Sequence, residues 1–180
     1  MGGDCCVFDC AVWGNWLAAM ITQERLKELL DYDQETGVFV RRIVPRSSRV
    51  QIGAIAGTLK KRGYLVIGID NSIYMAHRLA WLYVYGKFPD NGIDHINGVR
   101  NDNRIVNLRD VTQKINIQNQ RLARSDNKLG MLGVSTRRGK FMAQININGI
   151  RTYLGDFEIA EDAHEAYLAA KRKFHLGCTI

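Results

Sequence analysis

The sequence predicts an α+β fold made of two small units joined by a polar linker, and three patterns support this prediction. Residues 93–120 alternate short apolar runs with turns rich in Asn, Asp and Arg, which indicates strand, loop, strand and helix in succession. Residues 133–157 contain three short strand-like runs separated by Arg138-Gly139 and Asn148-Gly149, two pairs typical of tight turns. Alanines at three- and four-residue spacing from 160 to 174 predict a helix that packs on the resulting three-stranded antiparallel sheet.

Changes in composition along the chain predict the domain boundaries. Residues 1–20 form an N-terminal extension of uncertain role, 21–121 the first unit, 122–130 a basic linker without periodicity, and 131–177 the second unit. The extension lacks a basic start and contains two aspartates, so no secretory signal is expected. Three of the four cysteines lie in the first ten residues without the paired spacing of zinc sites, so free thiols are expected.

The elements of the first unit follow in order from local signals. A helix is predicted over 22–31 with Thr22 as its N-cap, and a strand over 36–42. Residues 63–69 and 72–77 should form a hairpin that turns at Asp70-Asn71. A mostly buried helix starting at position 77 should end at Gly86, with its aromatic residues packing in the core (Trp81, Tyr83 and Tyr85).

In the second unit, the middle strand alternates apolar and largely polar residues from 140 to 148. One face of the sheet is therefore predicted to lie under the helix, and the other face to be open to a ligand. Gly177 is expected to end the helix, while Gly133 and Gly155 are positions where strands approach closely or bulge.

The charge of the chain indicates a polyanionic partner. The 180 residues carry a formal net charge of +7, and the segment from Arg121 to Arg151 contains seven basic residues and only one acidic residue. Lys and Arg placed near phosphates release condensed counterions, which favours nucleic acid. No stretch approaches the roughly 18 apolar residues that a membrane-spanning helix needs. We therefore expect no membrane partner. A cytoplasmic location and a monomeric state are also expected.

Candidate chemistry is concentrated in the polar segment of the first unit. Asp94 and His95 end one predicted strand, Asn107 lies in the next predicted strand (105–111), and Asn116 lies in a helix that Thr112 could cap. A neutral histidine can activate water, and hard oxygen donors from Asp94 and Asn116 suit Mg²⁺ or Mn²⁺. This combination meets the needs of phosphodiester hydrolysis.

The runs HRLAW, YGKFP, IDHING and DNRIVNLRDVT, followed by Asn116, resemble the HNH nucleases of phages and mobile introns over residues 63–119. The resemblance implies a ββα-metal fold, with His95 as general base, Asp94 and Asn116 as metal ligands and Asn107 as a brace for the loop. Asn116 replaces the final histidine of the family name, a variant that intron-type members share, and Asn119 is the fallback ligand. If the protein is encoded by a phage, as this resemblance implies, it is expected in the cytoplasm of the bacterial host cell.

Two points about this site stay open from the sequence. Neighbouring residues of an ideal strand point to opposite faces, so a twist or bulge is required for Asp94 and His95 to share one site. His77 is a candidate phosphate contact, and equally a packing or capping residue at the start of its helix.

The segment GVSTRRGKFMAQININGIRTYLGDF and the alanine-rich helix after it resemble the APETALA2, or ethylene-response-factor, DNA-binding domain over 131–177. This resemblance implies that the open sheet face lies in the major groove of double-stranded DNA. The candidate contacts are Arg137, Arg138, Lys140, Gln144, Arg151 and Tyr153.

The leading hypothesis is therefore a metal-dependent DNA endonuclease that nicks DNA, because one HNH unit holds one active centre. A catalytically inert, sequence-specific DNA-binding regulator is the alternative. An RNA-binding or RNA-processing protein is a third hypothesis, although no RNP-type aromatic motif is present.

Overall fold

A computed structural model describes residues 21–43, 51–123 and 127–180. The predicted extension 1–20, with its three cysteines, lies outside these ranges, as do part of the predicted loop after Arg42 and the middle of the predicted linker. Four α-helices and four small antiparallel sheets lie within the described ranges. None of the described helices is long and apolar enough to cross a membrane.

The first part of the chain forms a helix, two small sheets and a second helix. The elements are α1 (Gln23–Leu29), β1 (Leu30–Tyr32), β2 (Phe39–Arg41), β3 (Thr58–Leu59), β4 (Leu65–Ile69), β5 (Ser72–Met75) and α2 (Ala76–Tyr85). β1 pairs with β2, and β3, β4 and β5 pair in that order. The predicted helix 22–31 ends early, because Leu30 and Tyr32 bury their side chains as alternate residues of a strand.

Local capping and turn signals in this part are confirmed. Thr22 accepts a hydrogen bond from the backbone N–H of Arg25 at 3.2 Å, as expected of an N-cap. Gly86 ends α2 with φ +74°. Asp70 and Asn71 both have positive φ, 45° and 63°, which is the geometry of a two-residue hairpin turn of type I′.

Residues 92–118 form the strand, loop, strand and helix unit that positions the candidate site. β6 (Gly92–His95) pairs antiparallel with β7 (Leu108–Val111), and α3 (Gln113–Gln118) follows. The predicted strand 105–111 is wrong at its start, because residues Ile105–Asn107 form a 3-10 turn that carries Asn107 inward. Thr112 holds the N-cap position of α3, but its side chain makes no capping hydrogen bond.

The C-terminal part is a three-stranded antiparallel sheet covered by one helix, as predicted. Its elements are β8 (Val134–Arg137), β9 (Lys140–Ile147), β10 (Ile150–Phe157) and α4 (Ala160–Phe174). β9 is central, and the register with β10 shifts between Tyr153 and Gly155, where Gly155 has φ +146°. The helix does not end at Gly177 as predicted, since His175 is already extended.

Each of the two parts is stabilised by its own cluster of apolar side chains. The first joins α1, β2, β4 and α2 through fully buried residues such as Leu26, Phe39 and Leu79. Trp81 and Tyr83 pack against this cluster as predicted, whereas Tyr85 stays 53% exposed. The second cluster lies between β8, β9 and α4. Each of these two parts therefore has its own apolar cluster.

Candidate active site

A cleft of about 670 Å³ opens where β6, the loop after it and α3 meet. Asp94, His95 and Asn116 all line this cleft, together with Asn119. The structure therefore brings the predicted base and both predicted ligands to one cleft. Asn107 lies behind it, in the loop that connects β6 to β7.

β6 reaches this arrangement without the bulge that the sequence suggested. Its register with β7 is continuous, with Asp94 opposite Arg109 and His95 opposite Leu108. Asp94 therefore points toward α3, and His95 points toward α2 and β4. Both residues nevertheless contribute to the lining of the cleft, at the end of the strand.

His95 is held in a shell of aromatic rings and is only 5% exposed. Its ring lies 5.2 Å from that of His77, nearly perpendicular to it, and 6.1 Å from that of Tyr64. Burial lowers the pKa of His95, and the side chain of Asn103 and the charge of Asp94 offset part of this effect. Its Nε2 is buried without a hydrogen-bond partner. The imidazole is therefore neutral at pH 7, the form that accepts a proton.

His77 lies inside the protein, one residue into α2, with 8% of its surface exposed. Its ring packs between those of Tyr64 and His95. Burial, together with the nearby His95 and Arg78, lowers its pKa to about 3. This position favours the packing role over a phosphate contact.

Asp94 is buried and receives hydrogen bonds from two side chains. Arg109 Nε and Nη2 donate to its Oδ2 at 2.9 and 2.7 Å. Asn119 Nδ2 donates to Oδ2 at 3.0 Å and to Oδ1 at a longer 3.2 Å. The buried carboxylate is thus compensated by a cation, and Oδ1 is the less engaged oxygen.

The orientation of Asn119 follows from its partners. Its Nδ2 lies among acceptors, including the backbone oxygen of His95 at 3.0 Å, while its Oδ1 accepts a hydrogen bond from the Thr179 hydroxyl. The same hydroxyl oxygen lies 2.7 Å from the backbone oxygen of Ile96, so its single proton is shared between these two acceptors. Asn119 is therefore placed as a donor to Asp94, and Asn116 lines the same cleft.

The donor chemistry of the cleft fits Mg²⁺ or Mn²⁺. Within the part of the chain that the structure describes, no group of three His, Cys, Asp or Glu side chains is placed to hold a metal ion. Asp94 offers a carboxylate oxygen, and Asn116 is exposed on α3 at the same cleft. Two hard oxygen donors at an open cleft leave room for water and phosphate oxygens, as Mg²⁺ sites usually do.

Asn107 ties the two ends of the active-site loop together. Its Oδ1 accepts a hydrogen bond from Asn97 N at 2.9 Å, and its Nδ2 donates to the backbone oxygen of Asp102 at 2.8 Å. Asp102 in turn pairs with Arg104 at 2.6 Å, which lowers the pKa of Asp102 to about 2. The side chain of Asn107 thus makes the contacts of a brace.

Five of the six predicted DNA contacts lie on one face of the C-terminal sheet. The pairing of β9 with β8 and β10 puts them on the side that α4 leaves open (Arg137, Lys140, Gln144, Arg151 and Tyr153). Arg138 lies instead in the turn before β9, with φ +50°. Lys140 is paired with Glu158, so its charge is partly compensated.

Several residues that contact the side chains of the cleft were not singled out from the sequence. Arg109 could have been found by pairing the two strands, because it lies directly opposite Asp94. Tyr64 lies 31 residues before His95, and Thr179 lies 60 residues after Asn119. No local pattern connects such distant positions, so only the folded chain reveals them.

Comparison with known families agrees with this location of the site. Residues 74–118 match the family described as HNH endonuclease, a stretch that covers a quarter of the 180-residue chain. Neither the curated proteins nor the solved structures provide a match to the chain. The matched residues include Asp94, His95, Asn107 and Asn116, and they end before the C-terminal sheet. The chain therefore contains a region similar to HNH endonucleases, and this region supplies half of the residues that line the cleft, among them Asp94, His95 and Asn116.

Proposed function

We propose that this protein is a metal-dependent DNA endonuclease of the HNH type that hydrolyses a phosphodiester bond. The observation that carries the proposal is the shared cleft, in which a buried, neutral imidazole lies beside a carboxylate and an exposed amide. Water activation by a neutral base and cation binding by hard oxygens are the two requirements of this chemistry.

In the proposed reaction, His95 accepts a proton from the attacking water. Asp94 and Asn116 would hold Mg²⁺ or Mn²⁺, which supplies positive charge near the leaving 3′ oxygen. Asn107 keeps the loop closed, and the rings of His77 and Tyr64 hold the imidazole in place. One cleft in a monomer would cut one strand, so the product would be a nick.

The C-terminal sheet is proposed to grip double-stranded DNA in the manner of an APETALA2-like domain. Its open face carries Arg137 and Arg151 on the two outer strands, with Gln144 between them. Arginines can recognise guanine through two hydrogen bonds, and Gln can do the same for adenine. If about five phosphates are neutralised, the log–log slope of affinity against salt should be on the order of −4 to −5.

One observation favours the alternative, a DNA-binding regulator without catalysis. Arg109 already compensates the charge of Asp94 through two hydrogen bonds, as a permanent structural pair would. The presence of a neutral His95 beside Asp94 and Asn116 at one cleft favours the nuclease. A cation must then share Asp94 with Arg109 through the less engaged Oδ1.

Plasmid nicking tests the proposal directly. Supercoiled DNA is incubated with Mg²⁺ or Mn²⁺, or with EDTA, and with the wild-type protein, His95→Ala, Asn116→Ala and the control His175→Ala. His175 lies outside the cleft and contacts the backbone oxygen of Asn146. The nuclease proposal is supported if open-circular plasmid forms only with metal, is lost in His95→Ala and Asn116→Ala, and still forms with His175→Ala. Salt-sensitive binding without nicking, on phage and intron-insertion DNA as well, would favour the regulator.

A further inference from the structure

A turn that carries three consecutive cations lies beside the candidate active site. Lys60, Lys61 and Arg62 connect β3 to β4, and all three are exposed. The turn is fixed by two backbone hydrogen bonds, from Lys60 N to Tyr64 O at 2.9 Å and from Gly63 N to Lys60 O at 2.8 Å. The backbone that carries the three charges is thus held in a defined turn.

Arg100 joins this turn to the cleft. Its Nη1 donates to the backbone oxygen of Arg62 at 2.8 Å, and its guanidinium lies 5.2 Å from the centre of the Tyr64 ring. Gly63, Tyr64 and Arg100 all line the same cleft as His95. We call Lys60, Lys61, Arg62 and Arg100 the rim cluster.

The rim cluster has no compensating acid in the part of the chain that the structure describes. Ion pairs there engage other cations, namely Arg25, Arg42, Lys87, Arg104, Arg109 and Lys140. Four like charges held together repel one another, and this cost is offset when a polyanion lies across them. The cluster therefore has the charge and rigidity of an anion site that is larger than one phosphate.

We propose that the rim cluster binds the phosphate backbone of double-stranded DNA beside the phosphate to be cut, an inference that rests on the proposed function. Only the Tyr64 ring separates Arg100 from His95. A phosphate bound by Arg100 therefore lies within about three nucleotide steps of one at His95, at ~3.4 Å of axial rise per step. The cluster makes no base contacts, so it positions the strand while the sheet face selects the sequence.

The test measures duplex binding in EDTA at a series of salt concentrations. The variant Lys60→Gln/Lys61→Gln/Arg62→Gln keeps the Arg62 carbonyl that anchors Arg100. A charge-matched control, Lys27→Gln/Arg41→Gln/Lys173→Gln, removes three cations that do not line the cleft. The rim variant should make the log–log salt slope shallower by about 2 to 3, at roughly 0.9 per lost phosphate contact, and the control by less than about 1.

Arg100 provides a finer comparison within the cluster. Arg100→Gln should make the slope shallower by about 1, and Arg100→Lys should restore it, because a phosphate contact needs the charge and not the guanidinium geometry. Unfolding midpoints close to that of the wild type show that each variant is folded. Equal slopes for the rim variant, the control and the wild type would overturn the proposal.

These measurements separate the rim cluster from the proposed catalysis. Binding in EDTA requires no cleavage. If the rim variant has a shallower slope but the wild type never nicks DNA, the rim-cluster proposal would stand and the nuclease proposal would fall. If the wild type nicks DNA but the rim variant has the same salt slope as the wild type, the nuclease proposal would stand and the rim-cluster proposal would fall. A slope change on single-stranded DNA or RNA alone would overturn the assignment to duplex DNA.

Discussion

Replacing His77 with Phe should make the protein resist acid better than the wild type. His77 is buried between Tyr64 and His95, and its Nδ1 has no hydrogen-bond partner. A buried polar atom without a partner costs about 1–3 kcal/mol. Phe keeps the aromatic contacts and has no proton to bind, so the variant should remain within about 1 kcal/mol of the wild type at pH 7.5 or exceed it.

The acid effect follows from the depressed pKa of His77. Its pKa falls from 6.5 to about 3 on folding, so the unfolded chain binds a proton that the folded protein refuses. The stability from this group is therefore complete above pH 6.5 and is lost as the pH falls toward 3. The slope approaches about 1.4 kcal/mol per pH unit, which amounts to about 2–3 kcal/mol between pH 7.5 and 4.5.

Urea unfolding at constant ionic strength measures this difference. The free energy of unfolding of His77→Phe minus that of the wild type should rise by about 2–3 kcal/mol as the pH falls from 7.5 to 4.5. Equal m-values across the series would show that the same surface is exposed in each case. A difference that stays constant over this range would refute the buried, neutral His77.

Three further predictions address other parts of the molecule. Gly133→Ala places a Cβ 2.0 Å from the Tyr167 ring. Gly130→Ala is the matched control, because Gly130 also has a positive φ but a Cβ there meets no atom within 4 Å. Gly133→Ala should therefore lower the melting temperature by far more than Gly130→Ala. In free energy, the Gly133 change should cost about 2 kcal/mol or more, measured by thermal unfolding. Thr179→Val removes the donor to Asn119 Oδ1 and should slow plasmid nicking about tenfold, equivalent to about 1.4 kcal/mol, while unchanged rates would contradict its positioning role. Asn107→Asp cannot donate to the Asp102 carbonyl and should lower the free energy of unfolding by about 2 kcal/mol, which urea titration would detect.

The sequence predicted those parts of the fold that depend on neighbouring residues. The Asp70-Asn71 turn, the Thr22 cap and the alternation along β9 are local signals, and the structure confirms them. The prediction failed where a distant contact overrides a local signal. Gly177 resembled a helix stop, but an added Cβ there would lie 2.2 Å from the backbone oxygen of Ile115, so close packing against α3 explains the glycine.

The same distinction applies to the candidate site. The spacing of Asp94, His95, Asn107 and Asn116 identified the residues of the cleft and its loop, because the whole unit lies within one short segment. Their surroundings could not be predicted, since Tyr64 lines the cleft and Thr179 contacts Asn119 from distant parts of the chain. Of the predicted twist or bulge in β6, the bulge is absent, because the register with β7 is continuous.

The hydrogen bonds around Asp94 connect the two predicted units. Arg109 donates to Asp94 and also to the backbone oxygen of Gly177 at 2.8 Å. Asn119 donates to Asp94 and accepts from Thr179. Both donors to the carboxylate are therefore themselves held by residues that follow α4, the helix of the C-terminal sheet. Any shift of that helix relative to α3 changes the positions of these donors, so the sheet unit bears on the geometry of Asp94 as well as on the proposed contact with DNA.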